Sequence, residues 1–292
     1  MDKKDQNLAK RNVFSWKRSV YWHGEGILKK LKKPIATGVH SFSLSGLFYD
    51  LLIENNNSET TIFFFHANIQ REGKELPFFM CNRVLSSKKV NRVFISDPSL
   101  LMSNNLSLAW YSGVYKSIRV QEILLKIIQK VSLKLNSKKN IFFGPSNGSY
   151  AALYFSWFFP NSLAFVMNPQ TRIADFSINA VKKFVKECLS LDEINNLDSQ
   201  SIHTKICSKI GIENNVRNLY KKKIENTVIY LQNDSDHHIE LQMRPFLNVI
   251  VNPAKVKVIM GNWGDGHKAP PLNIIEKYLN YYAFDNLHWF DS

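Results

Sequence analysis

The residues best suited to chemistry lie in one short segment, Gly144-Pro145-Ser146-Asn147-Gly148, between an apolar run and an apolar, helix-like stretch. The pattern Gly-x-Ser-x-Gly between a strand and a helix is typical of a nucleophile elbow, a tight turn that presents a serine hydroxyl. Glycine at both flanking positions removes side chains that would collide with the neighbouring strand or helix. Free N–H groups in the first helical turn could stabilise a negatively charged oxygen beside the hydroxyl. We therefore interpret Ser146 as a nucleophile.

Two further predicted strands end in the residue types that a nucleophilic serine needs. Asp236 follows one of these strands and His267 follows the other. A serine hydroxyl is too weakly acidic to attack unaided, so a histidine must accept its proton and a carboxylate must orient that histidine. We predict Ser146, Asp236 and His267 as catalytic residues, with Asp234 as the less favoured alternative for the acid.

Backbone donors are needed as well, because the attacked carbonyl oxygen becomes negatively charged. We predict an oxyanion hole formed by the N–H of Asn147 and by an N–H of the loop after residue 65, at Ala67 or Asn68. Losing one such donor typically costs on the order of 100-fold in rate.

A few other side chains near these positions could contact substrate or a metal ion. His66, His237 and Trp263 are candidates for substrate contacts. His237 and His238 could crowd a metal ion, but no third ligand follows at a recognisable spacing, so we predict no metal site.

The rest of the sequence predicts a scaffold that brings strand ends together. Short apolar runs alternate with segments of helical spacing, which is typical of a mostly parallel sheet covered by helices on both faces, an α/β fold. Such sheets bind ligands outside the carboxyl ends of their strands, where the predicted catalytic residues fall. Besides the strand before Ser146, we predict strands over residues 40–45, 48–54, 60–65, 91–96, 163–167, 227–231 and 255–260. We predict helices over residues 77–86, 114–135 and 271–282.

The domain organisation follows from the distribution of charge and periodicity. Residues 1–33 are basic with interspersed aromatic residues, and we predict an N-terminal arm that either packs on the body or contacts a membrane surface or partner. Residues 34–292 form the predicted α/β domain. The polar segment 175–223 is a predicted helical lid insertion.

Composition excludes several classes of protein. Hydrophobic residues make up 45% of the 292-residue chain, which excludes disorder over most of its length. No apolar run reaches the length of a membrane span, and no apolar signal core follows the charged N-terminus, so we expect a cytoplasmic protein. The three cysteines form no CxxC pair, which fits a reducing compartment and excludes a zinc ribbon.

The formal net charge of +14 attracts anions in general. The lysines are spread along the chain and accompany no RNA-binding or zinc-finger signature, so we predict no nucleic-acid partner. A site for a polyanion and a set of solvated helix faces are equally good interpretations of this charge.

The segments at the strand ends resemble those of the α/β-hydrolase superfamily, in which nucleophile, acid and histidine follow in this chain order. The run from Thr60 to His267 is similar in detail to bacterial capsular-polysaccharide O-acetyltransferases of that fold, and more distantly to the hydrolase-like component of accessory Sec systems. The matching segments are residues 61–65, 144–148, 168–175, 234–238 and 264–267. The sequence departs from the pattern at Ser149 and Asn233, where such proteins often carry glycine.

The resemblance implies an α/β-hydrolase fold and transfer of an acetyl group from acetyl-CoA, through an acyl-serine, to a sugar hydroxyl. We therefore expect a serine acyltransferase for a bacterial surface polysaccharide, with acetyl-CoA as donor and no bound cofactor. A serine esterase with the same three residues is the first alternative. Asp234-Ser235-Asp236 is also a DxD sequence, which would indicate a metal-dependent glycosyltransferase. A non-catalytic hydrolase fold acting as a partner protein is the third alternative.

Overall fold

The central element is a nine-stranded sheet that is parallel except at one strand. The computed structural model describes residues 8–26, 35–189, 198, 200–202, 204 and 211–285. The strands of the described chain, in sequence order, are β1 (Val20–His23), β2 (Gly38–Leu44), β3 (Leu47–Glu54), β4 (Thr60–Phe65), β5 (Asn91–Ile95), β6 (Val114–Tyr115), β7 (Ile118–Arg119), β8 (Lys139–Pro145), β9 (Leu163–Met167), β10 (Thr227–Asn233) and β11 (Val256–Gly261). The sheet order is β1-β2-β3-β5-β4-β8-β9-β10-β11, and only β3 runs antiparallel to its neighbours. The predicted mostly parallel sheet is confirmed.

Helices cover both faces of this sheet, as the continuous apolar runs of the inner strands require. They are α1 (Val120–Lys134), α2 (Asn147–Trp157), α3 (Ile178–Leu189), α4 (Arg217–Tyr220), α5 (Arg244–Leu247) and α6 (Leu272–Asn280). Successive residues of a strand point to opposite faces, and in β4 Phe63 belongs to one hydrophobic cluster while Phe64 belongs to another. The first cluster also contains Leu124 of α1, and the second contains Leu279 of α6. Both faces are therefore buried under helices.

The predicted helix over residues 114–135 begins later than expected. Residues Val114–Arg119 form a small hairpin of β6 and β7 instead, and α1 starts at Val120. Lys116 and Ser117 at the tip of the hairpin have φ of 47° and 66°, a left-handed conformation that a right-handed helix does not contain. From residue 120 onward the apolar spacing predicts the buried face of α1 correctly.

The predicted helix over residues 77–86 is wrong. This segment is a series of turns, with no helix or strand assigned. Cys81 and Leu85 have φ of 69° and 50°, and each of these residues interrupts a right-handed helix. The apolar side chains of the segment pack on the sheet without helical periodicity, since Phe79, Val84 and Leu85 all join the second hydrophobic cluster.

The predicted N-terminal arm, residues 1–33, is described over residues 8–26 only. Those residues pack on the body, and β1 pairs in parallel with β2 to form one edge of the sheet. Arg11 anchors the residues before β1 to β3. Its Nε and Nη2 donate to the two carboxylate oxygens of the buried Asp50 at 2.6 and 2.5 Å. Within this stretch, β1 is therefore part of the sheet. Residues 1–7 and 27–33 lie outside the described residues.

The predicted lid insertion at 175–223 is described in part. A 3₁₀ turn, Ile173–Asp175, leads into α3, and α4 follows before β10. Val181, Phe184 and Val185 on α3 are buried in the first hydrophobic cluster. The remainder of the prediction, residues 190–197, 199, 203 and 205–210, lies outside the described residues. In the described part of the chain, no helix has the length and apolar character needed to cross a membrane.

Candidate active site

Ser146 lies at the turn between β8 and α2 in a strained conformation, with φ of 52° and ψ of −117°. The two glycines of the segment are required by close backbone contacts. A Cβ atom at Gly144 would lie 2.2 Å from the carbonyl oxygen of Gly148. A Cβ atom at Gly148 would lie 2.6 Å from the carbonyl oxygen of Phe65. The first turn of α2 therefore packs directly on the end of β4, and Ser146 immediately precedes that turn.

Ser149, where similar elbows often carry glycine, is accommodated by hydrogen bonds of its hydroxyl. The residue is fully buried, and its Oγ donates to the carbonyl oxygen of Gly144. The same Oγ accepts a hydrogen bond from the N–H of Met167 at 3.2 Å. Ser149 thus connects the ends of β8 and β9.

The ends of β8, β10 and β11 bring Ser146, Asp236 and His267 together. Nε2 of His267 lies 3.0 Å from Oγ of Ser146, and Nδ1 of His267 lies 2.6 Å from Oδ2 of Asp236. An ionised carboxylate only accepts hydrogen bonds, so Nδ1 carries a proton and the neutral imidazole presents the Nε2 lone pair to the hydroxyl. This arrangement can move the serine proton to His267 while Asp236 stabilises the resulting imidazolium.

Asn233, where glycine is common in similar proteins, holds the loops of Asp236 and His267 together. Its Nδ2 donates to the carbonyl oxygens of Gly264 and Gly266 at 2.7 and 2.6 Å. Its Oδ1 accepts from the N–H of Trp263 at 2.8 Å. A single buried amide therefore fixes the loop after β11 to the end of β10.

Asp236 is the only one of the three nearby aspartates that contacts His267 within the described ranges. Burial raises the pKa of Asp236, but hydrogen bonds from His267 and from the N–H of His238 outweigh it, and its pKa lies below the usual value. Asp234 is exposed on the turn after β10, and Asp265 is exposed in the following loop. Asp234 and Asp236 thus differ in both exposure and contacts.

The backbone N–H groups predicted to form the oxyanion hole have no hydrogen-bond acceptor among the described residues. In the described part of the chain, the structure gives no acceptor to the backbone N–H of Asn147, Ala67 or Asn68. Asn147 opens α2, where the first N–H groups have no partner within the helix. The contact between Gly148 and Phe65 brings the loop after β4 to the start of α2. The donors of the two segments therefore lie on the same side of the sheet as Ser146.

His66 shapes the loop after β4. Its Nδ1 bonds the carbonyl oxygen of Ala67 at 2.8 Å, and its Nε2 accepts from the N–H of Asp97 at 3.0 Å. Burial lowers the pKa of His66 to about 4, so the ring is neutral at pH 7. Because both ring nitrogens have partners, neither is available to a ligand in this arrangement.

The other two candidates for substrate contacts lie in the segments that carry Asp236 and His267. His237 is exposed, and its Nδ1 lies 3.3 Å from Oδ1 of Asp236. The ring of Trp263 lies against the backbone of Gly261, where an added Cβ would come within 2.6 Å of it. His237 is therefore the more accessible of the two to a molecule that enters from solvent.

Asp236, His238 and His267 have potential metal-ligand atoms within 4.8 Å of one another. The Asp236 carboxylate and both nitrogens of His267 are already hydrogen-bonded. His238 is buried, its Nδ1 lies 3.2 Å from the carbonyl oxygen of Asn168, and its Nε2 has no partner among the described residues. Burial lowers the pKa of His238 to about 4. In this geometry Nε2 of His238 is the one potential ligand atom of the cluster that has no hydrogen-bond partner among the described residues.

Gln170 contacts the serine but is absent from the residues predicted for the site. Its Nε2 donates to Oγ of Ser146 at 3.2 Å, and its Oε1 accepts from Nε1 of Trp110 at 2.5 Å. The sequence contained one usable signal, since the polar segment 168–171 follows β9, the neighbour of β8 in the sheet. Its partner Trp110 is 60 positions away in sequence, so the pairing itself leaves no local pattern.

The strand order, the serine turn and the placement of residues at the strand ends define an α/β-hydrolase fold. Solved structures share it, among them the capsule O-acetyltransferase of Neisseria meningitidis serogroup A, which is 16% identical with a TM-score of 0.59 over 89% of this chain and 99% of that one. A variant of the same enzyme in complex with CoA matches with a TM-score of 0.58 at 16% identity, over the same shares of 89% and 99%.

Two other similar structures have different descriptions. An S-formylglutathione hydrolase from Agrobacterium tumefaciens is 11% identical with a TM-score of 0.55, over 89% of this chain and 99% of that chain. The Glycosylation Associate Protein complex from Streptococcus agalactiae is 15% identical with a TM-score of 0.57, over 85% of this chain and 47% of that chain. No family model matches the sequence, and no curated protein matches it. At these identities the similarity establishes the fold, and the expected α/β-hydrolase fold is confirmed.

Proposed function

We propose that this chain is a serine acyltransferase that O-acetylates a bacterial surface polysaccharide from acetyl-CoA. The observation that carries the proposal is the chain of contacts from Ser146 through His267 to Asp236, with distances of 3.0 and 2.6 Å. A strained serine, a neutral imidazole and a buried carboxylate in this order are the parts that acyl transfer through a covalent intermediate requires.

In the first half-reaction, Oγ of Ser146 attacks the thioester carbonyl while Nε2 of His267 takes the hydroxyl proton. The carbonyl oxygen becomes an oxyanion, for which the N–H of Asn147 and that of Ala67 or Asn68 are the proposed donors. The carbon–sulfur bond then breaks, His267 returns the proton to the CoA sulfur, and the acetyl group remains as an ester on the serine. Asp236 keeps the imidazole oriented throughout.

In the second half-reaction, His267 removes the proton from a sugar hydroxyl, whose oxygen attacks the acetyl ester. The ester bond to Oγ breaks and the serine recovers its proton from His267. The exposed His237, beside the Asp236 carboxylate, is the proposed contact for the incoming acceptor. Donor and acceptor therefore use the same base in turn.

Donor and acceptor are inferred from similarity and charge. The similar Neisseria protein is described as a capsule O-acetyltransferase, and its variant was solved with CoA. The net charge of +14 would favour both a phosphate-bearing donor and an anionic glycan. These observations support an acetyl-CoA donor and a glycan acceptor.

A serine esterase is the second candidate, since the same contacts serve water as the acceptor. The similarity to an S-formylglutathione hydrolase, at a TM-score of 0.55, favours it. The glycosyltransferase alternative requires Asp234 and Asp236 to share a metal ion. It is disfavoured because Asp236 is hydrogen-bonded to His267 and Asp234 is exposed.

The experiment that separates the two enzymes measures CoA release from acetyl-CoA with and without purified bacterial polysaccharides. A transferase releases CoA faster when the right glycan is present, and the glycan gains an ester. An esterase releases the acyl group at the same rate with water alone. Ser146→Ala and His267→Ala are the controls, and both should abolish release while circular dichroism shows the fold unchanged. Wild-type turnover by either variant would exclude the mechanism.

A further inference from the structure

The amide of Gln170 lies between Trp110 and Ser146, with both of its ends engaged. Nε1 of Trp110 donates to Oε1 of Gln170 at 2.5 Å, and Nε2 of Gln170 donates to Oγ of Ser146 at 3.2 Å. Gln170 and Trp110 are 1% and 0% exposed, so neither amide end exchanges its partner with bulk water. The backbone N–H of Gln170 also donates to the carbonyl oxygen of Ser146 at 3.3 Å.

Trp110 decides which end of the amide faces the serine. An indole N–H can only donate, so the oxygen of Gln170 must face Trp110 and the NH₂ group must face Ser146. With the opposite orientation the amide oxygen would face Ser146, where it would accept the hydroxyl proton that His267 needs. The tryptophan therefore makes Gln170 a donor to the nucleophile.

Trp110 is in turn held by the lid insertion. Its ring packs edge-on against Phe184 of α3 with centroids 5.2 Å apart, and against Phe176 at 6.0 Å. Contacts therefore run continuously from α3 through Trp110 and Gln170 to Oγ of Ser146. The orientation of the Gln170 amide therefore depends on how Phe176 and α3 pack against Trp110.

We propose that Gln170 is a further catalytic residue of this site, and that Trp110 positions it. By donating to Oγ, Gln170 leaves the hydroxyl proton directed at Nε2 of His267, the other group bonded to that oxygen. The same N–H stabilises Oγ while it carries negative charge, first as attacking atom and later as leaving atom. Gln170 itself neither gains nor loses a proton in either half-reaction. This inference rests on the proposed acyl-transfer function.

The substitution Gln170→Glu tests the proposal with almost no change of shape. The carboxylate still accepts from Trp110, but it replaces the donor with an acceptor that competes for the serine proton. Acylation by p-nitrophenyl acetate, measured as the burst rate at pH 8, should therefore slow by about 10- to 100-fold. This is the range expected for the loss of one hydrogen bond to a charged group. Gln129→Glu on the exposed face of α1 makes the same chemical change away from the site and should have no effect.

The pH dependence separates this role from structural damage. When the introduced glutamate is protonated it can donate again, so the ratio of wild-type to variant burst rates should fall as the pH is lowered. Taking the ratio at each pH removes the pH effects that are common to both proteins. A ratio that is constant with pH, or a variant as fast as wild type, would overturn the proposal.

Trp110→Phe tests the positioning role, because it keeps an aromatic ring and removes the indole donor together with the pyrrole part of the ring. Alone it should slow acylation by about 10-fold. In a Gln170→Ala background it should add nothing, since the group on which it acts is gone. Equal losses in both backgrounds would contradict the positioning role. If wild-type protein forms no acyl-Ser146 at all, the proposed function fails instead, so the two failures are distinguishable.

Discussion

Nδ1 of His267 lies 2.6 Å from Oδ2 of Asp236, whose side chain is completely buried at the end of the neighbouring strand. The carboxylate has a second hydrogen bond, from the N–H of His238 at 2.9 Å, which fixes its orientation. A buried carboxylate in this position holds the imidazole in the tautomer that leaves Nε2 free to accept a proton.

Asp236→Asn should therefore lower kcat for acyl transfer by on the order of 10⁴-fold, because an amide can donate to Nδ1 and favour the wrong tautomer. The matched control is Asp234→Asn, two residues earlier and exposed, which should leave kcat within about twofold of wild type. Steady-state kinetics with p-nitrophenyl acetate measure both. If the larger loss follows Asp234→Asn, the acid is the other aspartate.

Gly144→Ala should prevent the serine turn from forming. The added methyl group would lie 2.2 Å from the carbonyl oxygen of Gly148, a backbone atom that cannot move without displacing α2. We expect a loss of several kcal/mol in the free energy of unfolding, seen as a lower urea midpoint. Gly24→Ala is the matched control, since nothing lies within 4 Å of a Cβ there. Equal stability of the two variants would mean that the close contact is absent in solution.

Arg217 should contribute strongly to stability because it joins its own helix, α4, to two other segments of the chain. Its guanidinium donates to the carboxylate of Asp175 at 2.8 Å, to Oγ1 of Thr171 at 3.0 Å and to the carbonyl oxygen of Leu241 at 2.6 Å. Arg217→Met leaves the buried Thr171 and the partly buried Asp175 without that donor and should cost about 3 kcal/mol in urea unfolding.

The control for that measurement is Arg244→Met. Arg244 pairs with Glu240 across one helical turn at 3.1 Å, with both side chains about two-thirds exposed, at 65% and 66%. Such a pair contributes little in water, so the free energy of unfolding should change by no more than about 0.5 kcal/mol. A cost as large as that of Arg217→Met would contradict the assignment of stability to the buried network.

Stability should fall as the pH is lowered from 6.5 to 4. Burial lowers the pKa of His40, His66 and His238 to about 4, so the unfolded chain binds protons at these sites before the folded chain does. Their contribution is present above pH 6.5 and is lost as the pH falls through 4, by up to about 1.4 kcal/mol per pH unit for each histidine. Asp97, whose pKa burial raises to about 6, opposes this in part because it binds a proton in the folded chain first.

His66→Gln tests this assignment through the slope of the unfolding free energy against pH. This slope is independent of the overall stability of the variant. Urea unfolding of wild type and His66→Gln at several pH values between 4 and 6.5 should give a shallower dependence for the variant, since one proton uptake site is removed. Identical slopes would show that His66 does not titrate differently in the folded and unfolded chains.

Much of the fold could be predicted from sequence because the inner strands are buried on both faces. The β-branched and aromatic run over residues 60–65 and the apolar run over 163–167 coincide with β4 and β9. The other predicted strands end within two residues of those observed. The position of Ser146 followed from glycines that only close backbone contacts explain. Local pattern and tertiary structure agree at these positions, so the predicted strands and the predicted tight turn at residue 146 are observed.

The failures occur where tertiary contacts override local pattern. Residues 77–86 have apolar residues that could form a helix, but left-handed residues at Cys81 and Leu85 produce turns packed on the sheet. The link from Trp110 to Gln170 joins segments 60 positions apart, and neither residue alone indicates contact with the serine. Periodicity carries no information about such pairs, which only the folded chain brings together.

The most direct test of the account is intact-mass spectrometry after brief exposure to acetyl-CoA, and separately to p-nitrophenyl acetate. We predict that the wild-type chain gains the mass of one acetyl group from acetyl-CoA, and that Ser146→Ala gains none from either reagent. Labelling or turnover with the activated ester alone would favour the esterase. Absence of both adduct and turnover with either reagent, or an adduct that persists in Ser146→Ala, would contradict an acyl-serine mechanism at this site.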